Sequence, residues 1–127
     1  MTEPLLEKVD CIMLRVADVD AALRFYRDQL GQELVWRHGG DCAAVRLGES
    51  ELLLNAKCKE PEVDIEVDSA VAAAERFVQA GGRVVAGPFD IRIGKCVVVN
   101  DPWGNRLVLL DTTKGLLRTD EQGNVVD

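Results

Sequence analysis

The sequence is poor in the residues that most often hold metals, phosphates or disulfide frameworks. It has a single histidine, His38, and its four cysteines are scattered without a CxxC pair. The phosphate-binding patterns GxGxxG and GxxxxGK[ST] are both absent, although glycines occur in pairs and beside proline. These absences argue against a zinc knot, a disulfide scaffold and a nucleotide loop, and the glycines are better explained by turns.

Positive charge is also scarce. Lysine and arginine number 15 against 22 aspartates and glutamates, which gives a formal net charge of -7. Nucleic-acid binding requires a basic surface, so no nucleic-acid partner is expected. The acidity suits either a cationic ligand or a solubility charge spread over the surface.

Long apolar runs are missing as well. No stretch approaches the roughly 20 residues of a membrane helix, so no membrane partner is expected. The opening Met-Thr-Glu-Pro lacks the basic and apolar regions of an export signal. We therefore expect a cytoplasmic protein whose cysteines are free thiols.

What the sequence does contain is an internal repeat. Cys11-Ile-Met-Leu-Arg-Val16 and Ala21-Ala-Leu-Arg-Phe-Tyr26 are followed by the similar segments Glu62-Val-Asp-Ile-Glu-Val67 and Ala73-Ala-Glu-Arg-Phe-Val78. Each copy reads as a strand and then an amphipathic helix, with a period of about 50 residues. A chain of 127 residues fits a single domain, 1–127, built from two modules. The functional site is expected where the modules meet.

Hydrophobic periodicity and turn signals divide each module into one helix and four strands. Asp18 and Ser69 are the expected helix caps, and Gly31 and Gly81-Gly82 the stops. The predicted organisation is module one at about 8–55, a linker at 56–61, module two at about 62–111 and a polar tail at 112–127. In module one the helix is expected over Val19–Leu30, with later strands near 33–38, 42–47 and 51–55. In module two the later strands are expected near 83–86, 95–100 and 106–111. The tail is expected either to fray or to fold back as a hairpin.

Several motifs together resemble the vicinal oxygen chelate superfamily, which includes glyoxalase I, methylmalonyl-CoA epimerase, extradiol dioxygenases, fosfomycin-modifying enzymes and bleomycin resistance proteins. They are the strand Cys11-Ile-x-Leu-x-Val-x-Asp18, Arg24-Phe-Tyr26, Leu30-Gly31 and Asp101-Pro-Trp-Gly-Asn105. The resemblance implies an α+β fold in which two βαβββ modules form a half-open eight-stranded barrel with helices outside. It also implies a homodimer as the common assembly.

The resemblance further implies four metal-ligand positions, on the opening and last strand of each module. Here these positions hold Cys11 and Leu53 in module one and Glu62 and Val108 in module two. A catalytic divalent metal ordinarily needs at least three suitable protein ligands. No metal or other cofactor is therefore expected. The fallback, a divalent metal held by Cys11, Glu51 and Glu62, would need a two-residue change of register.

Strand alternation predicts which other side chains share the face of these positions. The candidate ligand-binding residues, including two tryptophans as possible apolar walls, are Cys11, Met13, Arg15, Trp36, Leu53, Glu62, Asp64, Trp103, Arg106 and Val108. The opposite faces are uniformly apolar and are expected to pack under the helices. The charged members could equally form ion pairs that fill the face without a ligand, and each tryptophan could equally belong to the core or a dimer interface.

Three functions follow from this interpretation. The leading hypothesis is a protein of the glyoxalase and bleomycin resistance type that binds a small organic molecule in the concave cleft without a metal. The second is a metal-dependent lyase, isomerase or dioxygenase, so enzymatic activity stays open and no catalytic residue is assigned. The third is a structural dimerisation module whose cleft is filled by side chains.

Overall fold

The computed structural model describes residues 3–126, and these fall into two compact units. One unit combines the residues up to Asp10 with Glu62–Leu116, and the other combines Cys11–Pro61 with the residues from Leu117 onward. The first holds the elements of module two and the second those of module one. Each unit also takes in a terminal segment of the chain from outside its own module.

Module one contains strand β1 (Lys8–Arg15), a helix, and strands β2 (Leu34–His38), β3 (Cys42–Leu47) and β4 (Ser50–Asn55). Hydrogen bonding joins its strands in the order β2-β3-β4-β1, in which β1 runs parallel to β4 and the other pairs are antiparallel. This is the predicted βαβββ arrangement.

The module-one helix begins as predicted but changes type halfway. The Asp18 carboxylate accepts hydrogen bonds from the amides of Asp20, at 2.8 Å, and Ala21, at 3.3 Å, and so caps helix α1 (Val19–Leu23). The chain then continues as a π-helical segment over Arg24–Gln29, where the Leu30 amide donates to the Phe25 carbonyl at 3.0 Å. The apolar spacing of the sequence predicts a single regular helix here, and that prediction is wrong for Arg24–Gln29.

Module two contains β5 (Glu62–Glu66), α2 (Ala70–Gln79), β6 (Arg83–Ile91), β7 (Gly94–Asn100) and β8 (Arg106–Leu110). Its strands are joined in the order β5-β8-β7-β6, with β5 parallel to β8. Strand β6 is longer than predicted and runs through Gly87-Pro88, whose peptide bond is cis. Because β6 is an edge strand with irregular register, it tolerates a proline that a central strand would exclude.

Each module buries its own core between its helix and one face of its strands. The module-two core consists of Ile65, Val67, Ala70, Ala73, Ala74, Val97, Val99 and Leu109. The module-one core consists of Val19, Ala22, Leu23, Ala43, Val45 and Leu54. The packing of Leu52 and Leu54 in module one, and of Val63, Ile65, Val67, Leu107 and Leu109 in module two, confirms the predicted apolar faces.

A buried carboxylate at the end of β8 joins three segments of module two. Asp111 is 2% exposed and accepts hydrogen bonds from the amides of Ala70, at 2.7 Å, and Lys95, at 3.0 Å, and from the Thr113 hydroxyl, at 2.8 Å. A side chain at Gly94 would collide with this carboxylate, so the position requires glycine. The first turn of α2 is therefore anchored from β8 as well as by the Ser69 cap, whose hydroxyl accepts from the Ala72 amide.

The tail folds back as a hairpin of β9 (Arg118–Thr119) and β10 (Val125–Val126), one of the two outcomes considered above. Its turn adds to the free side of β2, where the Arg37 amide donates to the Gly123 carbonyl at 2.7 Å. Gly123 also lies against the Leu34 side chain. The exposed edge of module one is thus covered by the tail.

The predicted fold class is confirmed. The chain is α+β, with two βαβββ modules that supply eight strands in both parallel and antiparallel pairs. None of the helices within residues 3–126 is long and apolar enough to cross a membrane.

Candidate functional site

The face of each module that turns away from its helix carries most of the predicted site residues, and we call it the inner face. On module one, Cys11, Met13 and Arg15 of β1 pair in register with Glu51, Leu53 and Asn55 of β4. Cross-strand partners share a face, and the intervening Leu52 and Leu54 pack in the core. Six side chains thus lie side by side on this inner face, from buried Cys11 to exposed Arg15.

Trp36 lies on the same inner face. It pairs with Ala44 of β3, which in turn pairs with Leu53 of β4. Its indole Nε1 donates to Glu51 Oε1 at 3.0 Å, across the strand between them. The half-buried indole is therefore fixed by a carboxylate and presents an apolar surface on the same face as Leu53.

Asn55 closes this face at the end of β4. Its side-chain oxygen accepts from the amides of Lys57, at 2.7 Å, and Cys58, at 3.1 Å, while its nitrogen lies 3.5 Å from the Met13 sulfur. The first two bonds form an Asx turn that carries the chain into the linker. Asn55 holds Met13 in place and shapes the end of the face.

The inner face of module two is acidic, whereas that of module one carries apolar, basic and acidic side chains. Glu62, Asp64 and Glu66 alternate along β5, and Asp64 and Glu66 pair with Val108 and Leu110 of β8. Asp64 is 9% exposed, and Val108 and Leu110 are also buried. Glu66 lies 3.7 Å from the Lys8 ammonium group, which partly balances its charge.

Cys96 shares this acidic face, although it is not among the residues predicted from the sequence. It pairs with Leu110, and burial, followed by the charges of Asp64 and Glu62, raises the pKa of its thiol. A raised pKa keeps the thiol protonated at neutral pH, so Cys96 is not an activated nucleophile. The alternation along β7, which places Val97 and Val99 in the core, is the signal that could have identified it.

The strand registers settle where the aliphatic residues lie relative to the opening strands. Leu53 pairs with Met13, two residues after Cys11, and Val108 pairs with Asp64, two residues after Glu62. The two modules therefore match in strand register, with Leu53 and Val108 at equivalent places. Each module supplies one side chain with a donor atom and one hydrocarbon at these positions, a set that does not fit a catalytic metal.

Glu51, the fallback ligand, pairs directly with Cys11. Its carboxylate is already used to accept from Trp36. Among residues 3–126, no group of three or more histidine, cysteine, aspartate or glutamate side chains is arranged to hold a metal ion. His38 lies exposed at the end of β2, beside Cys42 in register.

Two predicted residues lie outside these buried faces. Trp103 is 84% exposed in the turn between β7 and β8, where its amide donates to the Asp101 carboxylate at 2.9 Å. Arg106 begins β8, two residues before Val108, with its side chain exposed. The Asp-Pro-Trp-Gly-Asn motif forms a hydrogen-bonded turn, and Trp103 is its outward-facing member.

Comparison with known proteins finds a matching domain family and a relative in another organism. Residues 11–110 match the glyoxalase-like domain family. An uncharacterised protein of Mycolicibacterium smegmatis is 30% identical over 112 residues, which cover 84% of this chain and 96% of that protein.

Solved structures with the same fold include an epimerase. Methylmalonyl-CoA epimerase from Mycobacterium tuberculosis has a TM-score of 0.69 at 19% identity, covering 89% of this chain and 93% of that one. A hypothetical protein from Bacillus halodurans has a TM-score of 0.70 at 17% identity, covering 87% and 98%. At these identities the likeness concerns the fold.

Proposed function

This chain belongs to the glyoxalase-like domain family of the vicinal oxygen chelate superfamily, and we propose that it binds a small organic molecule on its inner faces without a catalytic metal. The observation that carries the proposal is the matched register of Leu53 and Val108. Hydrocarbon side chains there leave Cys11 and Glu62 as the donors at the positions that bind metal in related enzymes. Two donors are too few for a stable catalytic centre.

The inner faces have the composition of a ligand site. Small-molecule sites combine apolar or aromatic walls with a few placed polar groups. On module one, Trp36 is the aromatic wall and Glu51 the group that orients it. On module two, the carboxylates of Glu62, Asp64 and Glu66 favour a ligand that carries positive charge. The face of module one therefore suits an aromatic group, and the face of module two suits a positively charged group.

Trp36 makes the proposal testable by fluorescence. In Trp103→Phe, Trp36 is the sole indole, and benzamidinium added to this protein should quench its emission and raise the melting temperature. Benzoate, with a similar ring and the opposite charge, should quench the emission and raise the melting temperature less.

Trp36→Ala should weaken benzamidinium binding about tenfold, as expected for an aromatic anchor. Trp36→Phe, which keeps Trp103, is the matched control for signals from the exposed turn.

The competing function is a metal-dependent lyase, isomerase or dioxygenase. The direct pairing of Cys11 with Glu51 is the observation that favours it, because a thiol and a carboxylate then lie side by side. Calorimetric titration with Ni²⁺ or Mn²⁺, and elemental analysis after dialysis, decide between the two. We expect no stoichiometric metal. One tightly bound equivalent that is lost in Glu62→Ala would contradict the proposal and support the enzyme.

A further inference from the structure

Module two contains an apolar cavity behind its sheet, on the helix side and away from the inner face. It lies between α2 and the edge strand β6 and has a volume of about 460 Å³. Its lining includes Val71, Ala74, Val78, Val84, Pro88 and Val97. Small-molecule pockets commonly measure about 300 to 1,000 Å³, so this cavity is large enough for a ligand.

The internal repeat explains why the cavity exists. The helix caps Asp18 and Ser69 set a register that differs by one residue from the sequence likeness of Ala21–Tyr26 with Ala73–Val78. Counted from the caps, Leu23 and Ala74 occupy the same position, the fifth residue after the cap, and the buried residues of the two helices match in this register. Leu23 is 1% exposed and is one of the largest buried side chains of the module-one core. In module two the same position is Ala74, which lacks the isobutyl group and lines the cavity together with buried Val97.

The cavity opens to solvent through apolar side chains. Val71, Val78 and Val84 are each between 39% and 45% exposed, although the helical pattern predicts that Val71 and Val78 are buried. On module one, the edge strand is covered by the tail hairpin through Arg37 and Gly123. Among the strands of residues 3–126, β6 pairs with β7 alone, and apolar surface beside it is left for a ligand to cover.

The polar residues of the lining define the ligand's charge. They are Glu75 and Gln79, one turn apart on α2, and of the lining residues Glu75 alone is charged. Within residues 3–126 the Glu75 side chain makes no hydrogen bond or ion pair. An acidic group beside a valine-lined cavity complements a molecule with an apolar body and an ammonium head.

We propose that the α2–β6 cavity is a second binding site, which takes a small cationic amphiphile with its apolar part against Ala74 and Val97 and its ammonium group at Glu75. The site is separate from the inner faces. Its occupancy does not depend on the function proposed above.

The test uses octylammonium as the probe and octanoate as its counterpart of similar chain length and opposite charge. Amide chemical shifts of the full chain should change on titration with octylammonium at residues 71–79 and 83–88, and less with octanoate. Ala74→Leu, which restores the module-one residue, should abolish these changes. Ala72→Leu adds the same side chain on the exposed side of α2 and should leave them intact.

Two further variants keep the test informative if Ala74→Leu does not fold. Val78→Phe should block the mouth of the cavity, and Glu75→Gln should weaken octylammonium binding about two- to fivefold, the effect of one exposed ion pair. Trp36→Ala should leave binding unchanged. The proposal is overturned if octylammonium does not bind, if binding survives Ala74→Leu or Val78→Phe, or if octanoate binds equally well.

A second copy of the chain is the alternative occupant. Sedimentation of the wild type and Val78→Phe with and without octylammonium distinguishes the two. If the wild type is a dimer that Val78→Phe dissociates, and octylammonium binds only to the monomer, the cavity is a subunit interface and the proposal is wrong.

Discussion

The two modules have the same order of strands and helix. They resemble each other on the face that packs against the helix and differ on the inner face. Their helix-facing residues are apolar in both copies and build two similar cores. Their inner faces diverge at matched positions, where Cys11, Met13 and Arg15 of β1 correspond to Glu62, Asp64 and Glu66 of β5. Core packing restricts the first set of positions, whereas the second set is free to differ. Specific chemistry is therefore to be sought where the modules differ.

The two helices differ in length as well. From cap to cap, the module-one helix is one residue longer, Asp18–Leu30 against Ser69–Ala80. The additional residue is accommodated by the π-helical segment, the usual result of a single insertion into a helix. The glycines that follow, Gly31 and Gly81, both have positive φ, so the two helices end alike.

Exchanging the fifth residue after the helix cap between the modules should have the largest effect on the free energy of unfolding. Leu23→Ala removes a fully buried side chain and should lower the free energy of unfolding by about 3 kcal/mol. Ala74→Leu fills an existing cavity and should raise it by up to about 1 kcal/mol. Urea denaturation measures both. Similar losses from both substitutions would show that the positions are not equivalent.

Asp111 is specific to module two, and its loss should have the next largest effect. Asp111→Ala leaves the amides of Ala70 and Lys95 without their acceptor and should cost about 2 to 3 kcal/mol. Ser69→Ala, which removes the other cap of the same helix, should cost about 1 kcal/mol. Urea midpoints for the two variants give the comparison. If Ser69→Ala lowered the free energy of unfolding more than Asp111→Ala, the Asp111 carboxylate would not be the main anchor of α2.

The same residue should give module two a dependence on pH. Burial opposes ionisation of Asp111, but hydrogen bonds from Ala70, Thr113 and Lys95 outweigh it and lower its pKa. A carboxylate with a lowered pKa stabilises the fold fully above the ordinary value of about 3.9, and this contribution is lost as the pH falls through the folded-state value. Asp111→Asn should therefore flatten the decline in stability between about pH 5 and pH 2. An unchanged slope would exclude this role.

The smallest effect concerns two turns of identical design. In Asp101–Asn105 and Asp120–Asn124, the aspartate accepts from the amides two and four residues later and from the asparagine side chain. Asp120→Ala should change global stability by less than about 1 kcal/mol but speed hydrogen exchange of the Arg37 amide, which is bonded to Gly123. Asp101→Ala, the control, should leave Arg37 exchange unchanged. A large global loss from Asp120→Ala would show that the tail is integral to the module-one fold.

Local patterns predicted the elements and faces but not the contacts between distant segments. Alternation placed Leu52, Leu54, Ile65 and Leu109 correctly, because strand geometry ties neighbouring residues to opposite faces. The π-helical segment was not predicted, because the apolar residues Val19, Ala22, Tyr26 and Leu30 have the spacing of a regular α-helix. The role of Asp111 depends on amides far away in the sequence, so no local signal reveals it. The cavity was also missed, because the apolar spacing of Val71 and Val78 does not show that β6 leaves them uncovered.

Each terminal segment belongs to the unit of the module that lies farther from it in the sequence. The residues up to Asp10 belong to the unit of module two, and those from Leu117 onward belong to the unit of module one. The strand that opens module one begins within the other unit, where the Glu7 amide donates to the Glu66 carbonyl. During synthesis the first module therefore lacks its edge covering until the residues from Leu117 onward have left the ribosome. Neither half can be excised intact by a cut in the linker, so proteolysis there should release two incomplete fragments.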